Sequence, residues 1–130
     1  MALSKEQILG IRDIKIEELY IPEWDGSVYV KTMTAEERDK FEEAIFMREG
    51  NKRKADLVGL RTKMCAFVIC DEQGNRLFTE DEVEALSQKN ANALTRIFEK
   101  AQEMSKMREG DLEDALKNSR SVRESSSSTD

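Results

Sequence analysis

The chain contains no histidine among its 130 residues. That absence removes the commonest general base, the histidine-dependent catalytic triads and the usual zinc ligand sets. It contains a single proline, Pro22. Proline cannot donate to a β-ladder, so a strand that includes it lies at a sheet edge or begins irregularly. Only two cysteines occur, Cys65 and Cys70. Five residues apart on a helix, their Cα atoms stand about 8–9 Å apart, whereas a disulfide needs less than about 7 Å. They read as two buried free thiols in a reducing compartment. An excess of basic charge is also missing. The formal net charge is −6, which argues against nucleic acid or an anionic membrane as the main partner. The N-terminus, MALSKEQILG, lacks the basic start and long apolar stretch of a signal peptide, so the expected location is the cytoplasm. No G-x-S-x-G, Walker loop or G-x-G-x-x-G occurs, and enzyme activity and cofactor binding have no positive support.

What is present centres on Ala55–Cys70, ADLVGLRTKMCAFVIC. Leu57, Leu60, Met64 and Phe67 recur at steps of three and four, which makes one helical face apolar. From Met64 to Cys70 the run is apolar all round, as for a segment buried on every side. Asp56, Arg61 and Lys63 make it too charged, and it is too short, to span a bilayer. The segment predicts a central helix serving as core. A switch to a buried strand from Phe67 is the alternative, because Val68-Ile69 is β-branched.

Taken in order, the chain opens with Ser4 capping a short helix over Lys5–Leu9, stopped by Gly10. In Asp13–Ile21 the apolar residues alternate with a phase slip at Glu17-Glu18, which predicts a bulge or two short pieces. Asp25-Gly26 between two β-prone runs predicts a hairpin with a type I′ turn. Tyr20, Trp24 and Tyr29 are expected to cover one face of it. Thr34-Ala35-Glu36-Glu37 is a capping box for a helix over Ala35–Arg48, ended by Gly50-Asn51. Arg48, Lys52, Arg53 and Lys54 form the only concentrated basic stretch, expected as a solvated helix–helix connector, with an acidic partner surface as the alternative.

Beyond the central segment, Asp71–Asn75 is a turn and Arg76-Leu77-Phe78 a short extended piece returning apolar side chains to the core. Asp71 with Glu82 eleven residues later echoes a calcium loop. Gln73 and Arg76 stand where that loop wants Asp or Asn and glycine, so the pattern is a poor match. Thr79–Glu82 is a second capping box, before Val83 and Leu86. Leu94, Ile97, Phe98, Ala101 and Met104 are at helical spacing, and Gly110 breaks that helix. Leu112 and Leu116 are the apolar pair of a last turn or two. From Asn118 the chain is serine-rich and is expected to be a disordered tail. The expected architecture is a mainly helical α+β domain over residues 1–117, with a small β-hairpin near the N-terminus, and a tail over 118–130.

Four stretches in this order carry a resemblance. They are IPEWDGSVYV (Ile21–Val30), MTAEERDKFE (Met33–Glu42), CDEQGNRLF (Cys70–Phe78) and DEVEAL (Asp81–Leu86). Together they make the chain, from about Leu3 to Ser119, resemble the tail assembly chaperones of long-tailed bacteriophages. The resemblance implies a small non-catalytic protein of the infected host's cytoplasm, absent from the finished virion. It implies binding to the tape measure protein, which is kept soluble while tail tube protein polymerises around it. It also implies self-association, and in many members a longer frameshifted form. No catalytic, cofactor or metal residues carry over.

Such a partner calls for adaptable apolar surface, which Met33, Met47, Met64, Met104 and Met107 are suited to supply. Trp24, Phe46 and Met47 are the residues expected to contact it. Trp24 sits beside a tight turn, and Phe46-Met47 extend the apolar arc of their helix. A helical adaptor or regulatory protein of phage or prophage origin, acting on a protein partner, is the alternative function.

Overall fold

A computed structural model describes residues 2–49, 52–55 and 59–105. Its first element, helix α1 (Lys5–Gly10), is built by local means. Ser4 Oγ accepts from the Gln7 amide at 3.1 Å, and Gln7 Oε1 accepts from the Ser4 amide at 2.8 Å. None of its residues is buried. An extended connector leads to Lys15, which exchanges two hydrogen bonds with Thr32, both at 3.0 Å.

Strand β1 (Ile16–Ile21) pairs antiparallel with β2 (Gly26–Lys31) in unbroken register, from Ile16 opposite Lys31 to Ile21 opposite Gly26. The phase slip at Glu17-Glu18 is therefore not a bulge. Leu19 and Ile21 join the core, while Ile16 lies on the other face of the strand, over Gly74. Both faces are partly covered, so both carry apolar residues.

The hairpin forms where Asp25-Gly26 predicts it, but its turn differs. Pro22–Trp24 make one 3₁₀ turn, and Asp25 alone takes positive φ, 47°. Proline's fixed φ starts a helical turn. One left-handed position then closes the loop, and aspartate tolerates it. Tyr20 and Tyr29 share one face of the hairpin, but Trp24, in the turn, does not join them. Tyr20 stays exposed, its hydroxyl donating to Asp25 Oδ1 at 2.9 Å, Tyr29 donates to Glu72, and only Trp24 packs on the core.

Helix α2 (Ala35–Ile45) starts at the Thr34 capping box, with Glu37 donating its amide to Thr34 Oγ1 at 3.1 Å. It ends at Ile45, not Arg48. Phe46–Glu49 (β3) and Lys52–Ala55 (β4) form a second antiparallel hairpin, with Phe46 opposite Ala55 and Glu49 opposite Lys52. The expected charged connector is thus a β-ribbon. Gly-Asn between two short runs is a hairpin signal as much as a helix stop.

The central element is shorter than its apolar pattern. Helix α3 (Leu60–Val68) follows Gly59, whose φ is 78°, and gives way to strand β5 (Ile69–Cys70). The alternative strand reading is correct in kind and begins two residues later than Phe67. Ile69 and Cys70 pair with Val30 and Tyr29 of β2, giving the order β1-β2-β5 with β1 at an edge. Every residue from Met64 to Cys70 is buried.

A turn held by Asp71, whose Oδ1 accepts from the Gln73 and Asn75 amides at 2.9 Å, leads past Arg76. Leu77 stays exposed and only Phe78 turns to the core. The Thr79 capping box opens a 3₁₀ turn that runs into α4 (Val83–Leu86). Asn90 caps α5 (Ala91–Met104), which buries Leu94, Ile97, Phe98, Ala101 and Met104 as its spacing predicts. It lies along the first hairpin. Arg96 meets Glu23 near the turn, and Lys100 meets Glu17 at 2.7 Å further back. Between the helices, Phe41 and Phe67 pack edge to face, centroids 6.0 Å apart. Each such ring stabilises the fold by about 2–3 kcal/mol relative to exposure. The mainly helical α+β architecture is as expected. Gly110, the last turns at Asp111–Lys117, the 117/118 boundary and the serine-rich tail lie outside the described residues.

Candidate functional site

The turn of the first hairpin builds an apolar cleft. Because Pro22–Trp24 form a 3₁₀ turn, the Trp24 indole leaves the sheet and rests half-buried against the core. A bidentate pair holds the turn, with Arg96 Nε and Nη2 donating to Glu23 at 2.8 and 3.0 Å. The bond from Arg96 holds the Glu23 carboxyl below its ordinary value. Phe78, Lys89 and, from α4, Ala85 and Leu86 line the cleft together with Trp24. The cleft encloses about 370 Å³.

At the other end of the hairpin lies a larger recess of about 500 Å³. Three methionines line it: the partly exposed Met33 in the connection after β2, and the buried Met64 of α3 and Met104 of α5. Lys15 and Arg38 are also in its wall. Methionine's unbranched thioether adapts to irregular apolar partners; of the two cations, Arg38 is paired with Glu42 at 3.0 Å.

Trp24, Phe46 and Met47 are not one constellation. Trp24 is in the first hairpin, while Phe46 and Met47 open β3 in the second. The side chains of Phe46 and Met47 are outside the described residues. Phe78, Ala85 and Leu86 were not read as site residues. The Thr79 capping box fixes the helical phase of Leu86, but no local signal pairs it with Trp24.

Among the described residues, buried Gln102 leaves its Nε2 without a hydrogen-bond partner, while Lys31 and Cys65 are engaged structurally. Lys31, 2% exposed, is held by Glu37, and Cys65 Sγ donates to the Leu94 carbonyl at 3.4 Å. Among the described residues, no group of three or more histidine, cysteine, aspartate or glutamate side chains is placed to hold a metal ion. None of the described helices is long and apolar enough to cross a membrane.

The recesses and the fold define a small α+β domain that presents apolar surface between charged rims. The sequence model of the phage tail assembly chaperone family matches residues 10–118, and the chain belongs to that family. Among solved structures it is similar to the tail assembly chaperone of bacteriophage HK97. The two share 16% identity with a TM-score of 0.54, over 75% of this chain and 89% of that one. At that identity the likeness speaks for the fold. No curated protein matches the chain in sequence.

Proposed function

We propose that this chaperone acts without catalysis by binding its tape measure protein, keeping it soluble and promoting tail tube assembly around it. The observation that carries the reading is the methionine-lined recess with Lys15 and Arg38 in its wall. A long helical protein with exposed apolar stripes needs a partner that buries those stripes without demanding one fixed shape. The partly exposed Met33 at this recess offers that, and Lys15 in its wall meets flanking carboxylates. Trp24, Phe46 and Met47 are the further contacts assigned to this partner. The complex belongs to the host cytoplasm and is shed before the virion is complete; tail tube protein is its second partner.

Co-expression tests this. The cognate tape measure protein should become soluble and co-purify with the chaperone. The contact is chiefly apolar with charge at its rim, so moderate salt should not dissociate it. Single Trp24→Ala, Phe46→Ala and Met47→Ala variants then separate roles. Loss of the complex at an unchanged melting temperature marks a contact, and loss of folding marks core. If the wild-type chain neither solubilises nor retains the tape measure protein, the reading is wrong.

A further inference from the structure

The chain leaves the described residues at the wall of the methionine-lined recess. Ala101, Met104 and Ser105, at the end of α5, line it, and Ile14 and Met33 in the same lining are only partly buried. Lys31 and Arg38 are paired with Glu37 and Glu42, whereas Lys15 is exposed. The sequence that follows Ser105 suits this wall. After Gly110 come residues 111–117, DLEDALK. On a helical turn Leu112 and Leu116, four apart, share a face, and Asp111, Glu113 and Asp114 flank them. Two turns of helix do not persist on local bonds alone, so the pair needs an apolar surface to form against. The family match runs to residue 118, which puts this segment inside the shared domain.

We propose that residues 111–117 fold back and seat Leu112 and Leu116 in the methionine-lined recess of their own chain. Reach selects this recess. Continued as helix, the five residues from Ser105 to Gly110 advance about 7.5 Å, and a helical return over the six from Gly110 to Leu116 covers about 9 Å. Leu116 thus comes back level with Ser105. The reversal falls on Gly110, the residue type that takes the left-handed conformation ending many helices without strain. The Trp24 cleft lies at the far end of the first hairpin, about 20 Å away along the ladder at about 3.4 Å per residue. Methionine walls receive a leucine pair without demanding one fit. The docked pair covers Ile14 and Met33, and Lys15 meets the flanking carboxylates. The segment then holds the surface assigned above to the tape measure protein, which has to displace it. That displacement rests on the tape measure reading; the docking does not.

Paramagnetic broadening of methionine methyl signals in the full chain, with no other protein present, tests the docking. A nitroxide is attached at Asn118→Cys, just past the segment; the native thiols, Cys65 and Cys70, are buried. The methyl signals of Met33 and Met104 should broaden. They should recover when Leu112→Glu and Leu116→Glu are added, and in part with Lys15→Glu. Wild-type signals that stay sharp overturn the proposal. So does broadening that the double variant leaves unchanged. Broadening that passes from a nitroxide-bearing chain to the methyls of a separately labelled chain also overturns it, by giving the recess to a second copy. With the tape measure protein added, the double variant should bind more tightly than wild type, because every copy then has an open recess. A double variant that binds no more tightly overturns the displacement. A chain that docks its segment yet binds no tape measure protein refutes only the earlier reading.

Discussion

The buried ammonium of Lys31 donates to Oε1 of Glu37, and the same oxygen accepts from the Thr34 amide at 3.0 Å. One carboxylate thus neutralises a charge that is 2% exposed and caps α2. Removing one partner of a buried pair leaves the other charge uncompensated. Glu37→Ala should therefore destabilise the chain by about 3 kcal/mol. Lys31→Met removes the buried charge itself and leaves Glu37 to cap Thr34, so it should cost no more than about 1 kcal/mol. Urea denaturation of both variants checks the order. Equal losses would mean that the pair acts only through packing.

Acid should undo the same contact. Burial of Glu37 works against its charge. The bond from Lys31, the Thr34 amide and the charges of Lys31 and Arg76 outweigh that, and its carboxyl lies below the ordinary 4.5. Asp71, held chiefly by the Asn75 amide, also lies below its ordinary 3.8. A depressed carboxylate contributes stability that is complete above its unfolded value and lost as pH falls through the folded one. The melting temperature should hold from neutral pH down to about 4.5 and decline below it. Glu37→Gln, already lacking the charge, should start lower and decline less steeply.

The thiols should be silent in the folded chain. Burial pushes Cys65 up to about 12, and burial also raises Cys70. Both are at most 1% exposed. Reaction needs exposed thiolate. A disulfide-exchange reagent at mildly alkaline pH should therefore find no thiol in the native protein and two after denaturation. Prompt native reaction would show that α3 and β5 are not enclosed.

Where local chemistry decides the structure, the sequence was readable. Thr34 and Thr79 cap the elements they precede, and the period of Leu94–Met104 fixes the buried face of α5. The second hairpin competed with a helix, because Phe46-Met47 continue the apolar arc of α2 and Gly50-Asn51 is a helix stop as much as a hairpin signal. Its strands are specified by pairing across Gly50-Asn51. The site shows the same division. Trp24 was legible as a large side chain beside a tight turn, but its cleft walls come from Phe78 and α4, distant in sequence. Met33, Met64 and Met104 were each visible, while their convergence depends on how α3, α5 and the connection after β2 pack.

Arg76 stands at the position where a calcium loop would need glycine, and its real task is at the end of α3. Nε and Nη2 donate to the Ala66 carbonyl at 3.1 and 3.0 Å. Helix geometry leaves the last-turn carbonyls without amide donors, and a cation there also suits the helix dipole. The guanidinium carbon lies 4.2 Å from the centroid of the Phe67 ring, so the plane covers an aromatic face as well. Its third contact, Nη1 to Glu80 at 3.4 Å, involves a half-exposed carboxylate and contributes little. Lysine cannot fork or stack in this way. Arg76→Lys should cost about 1 kcal/mol. Arg76→Met keeps apolar cover over Phe67 but orphans the Ala66 carbonyl, and should cost about 2 kcal/mol. Glu80→Gln should stay within about 0.5 kcal/mol of wild type. Chemical denaturation of the three variants checks this ranking. A Glu80→Gln loss as large as that of Arg76→Met would assign the stabilisation to the ion pair instead of the carbonyl.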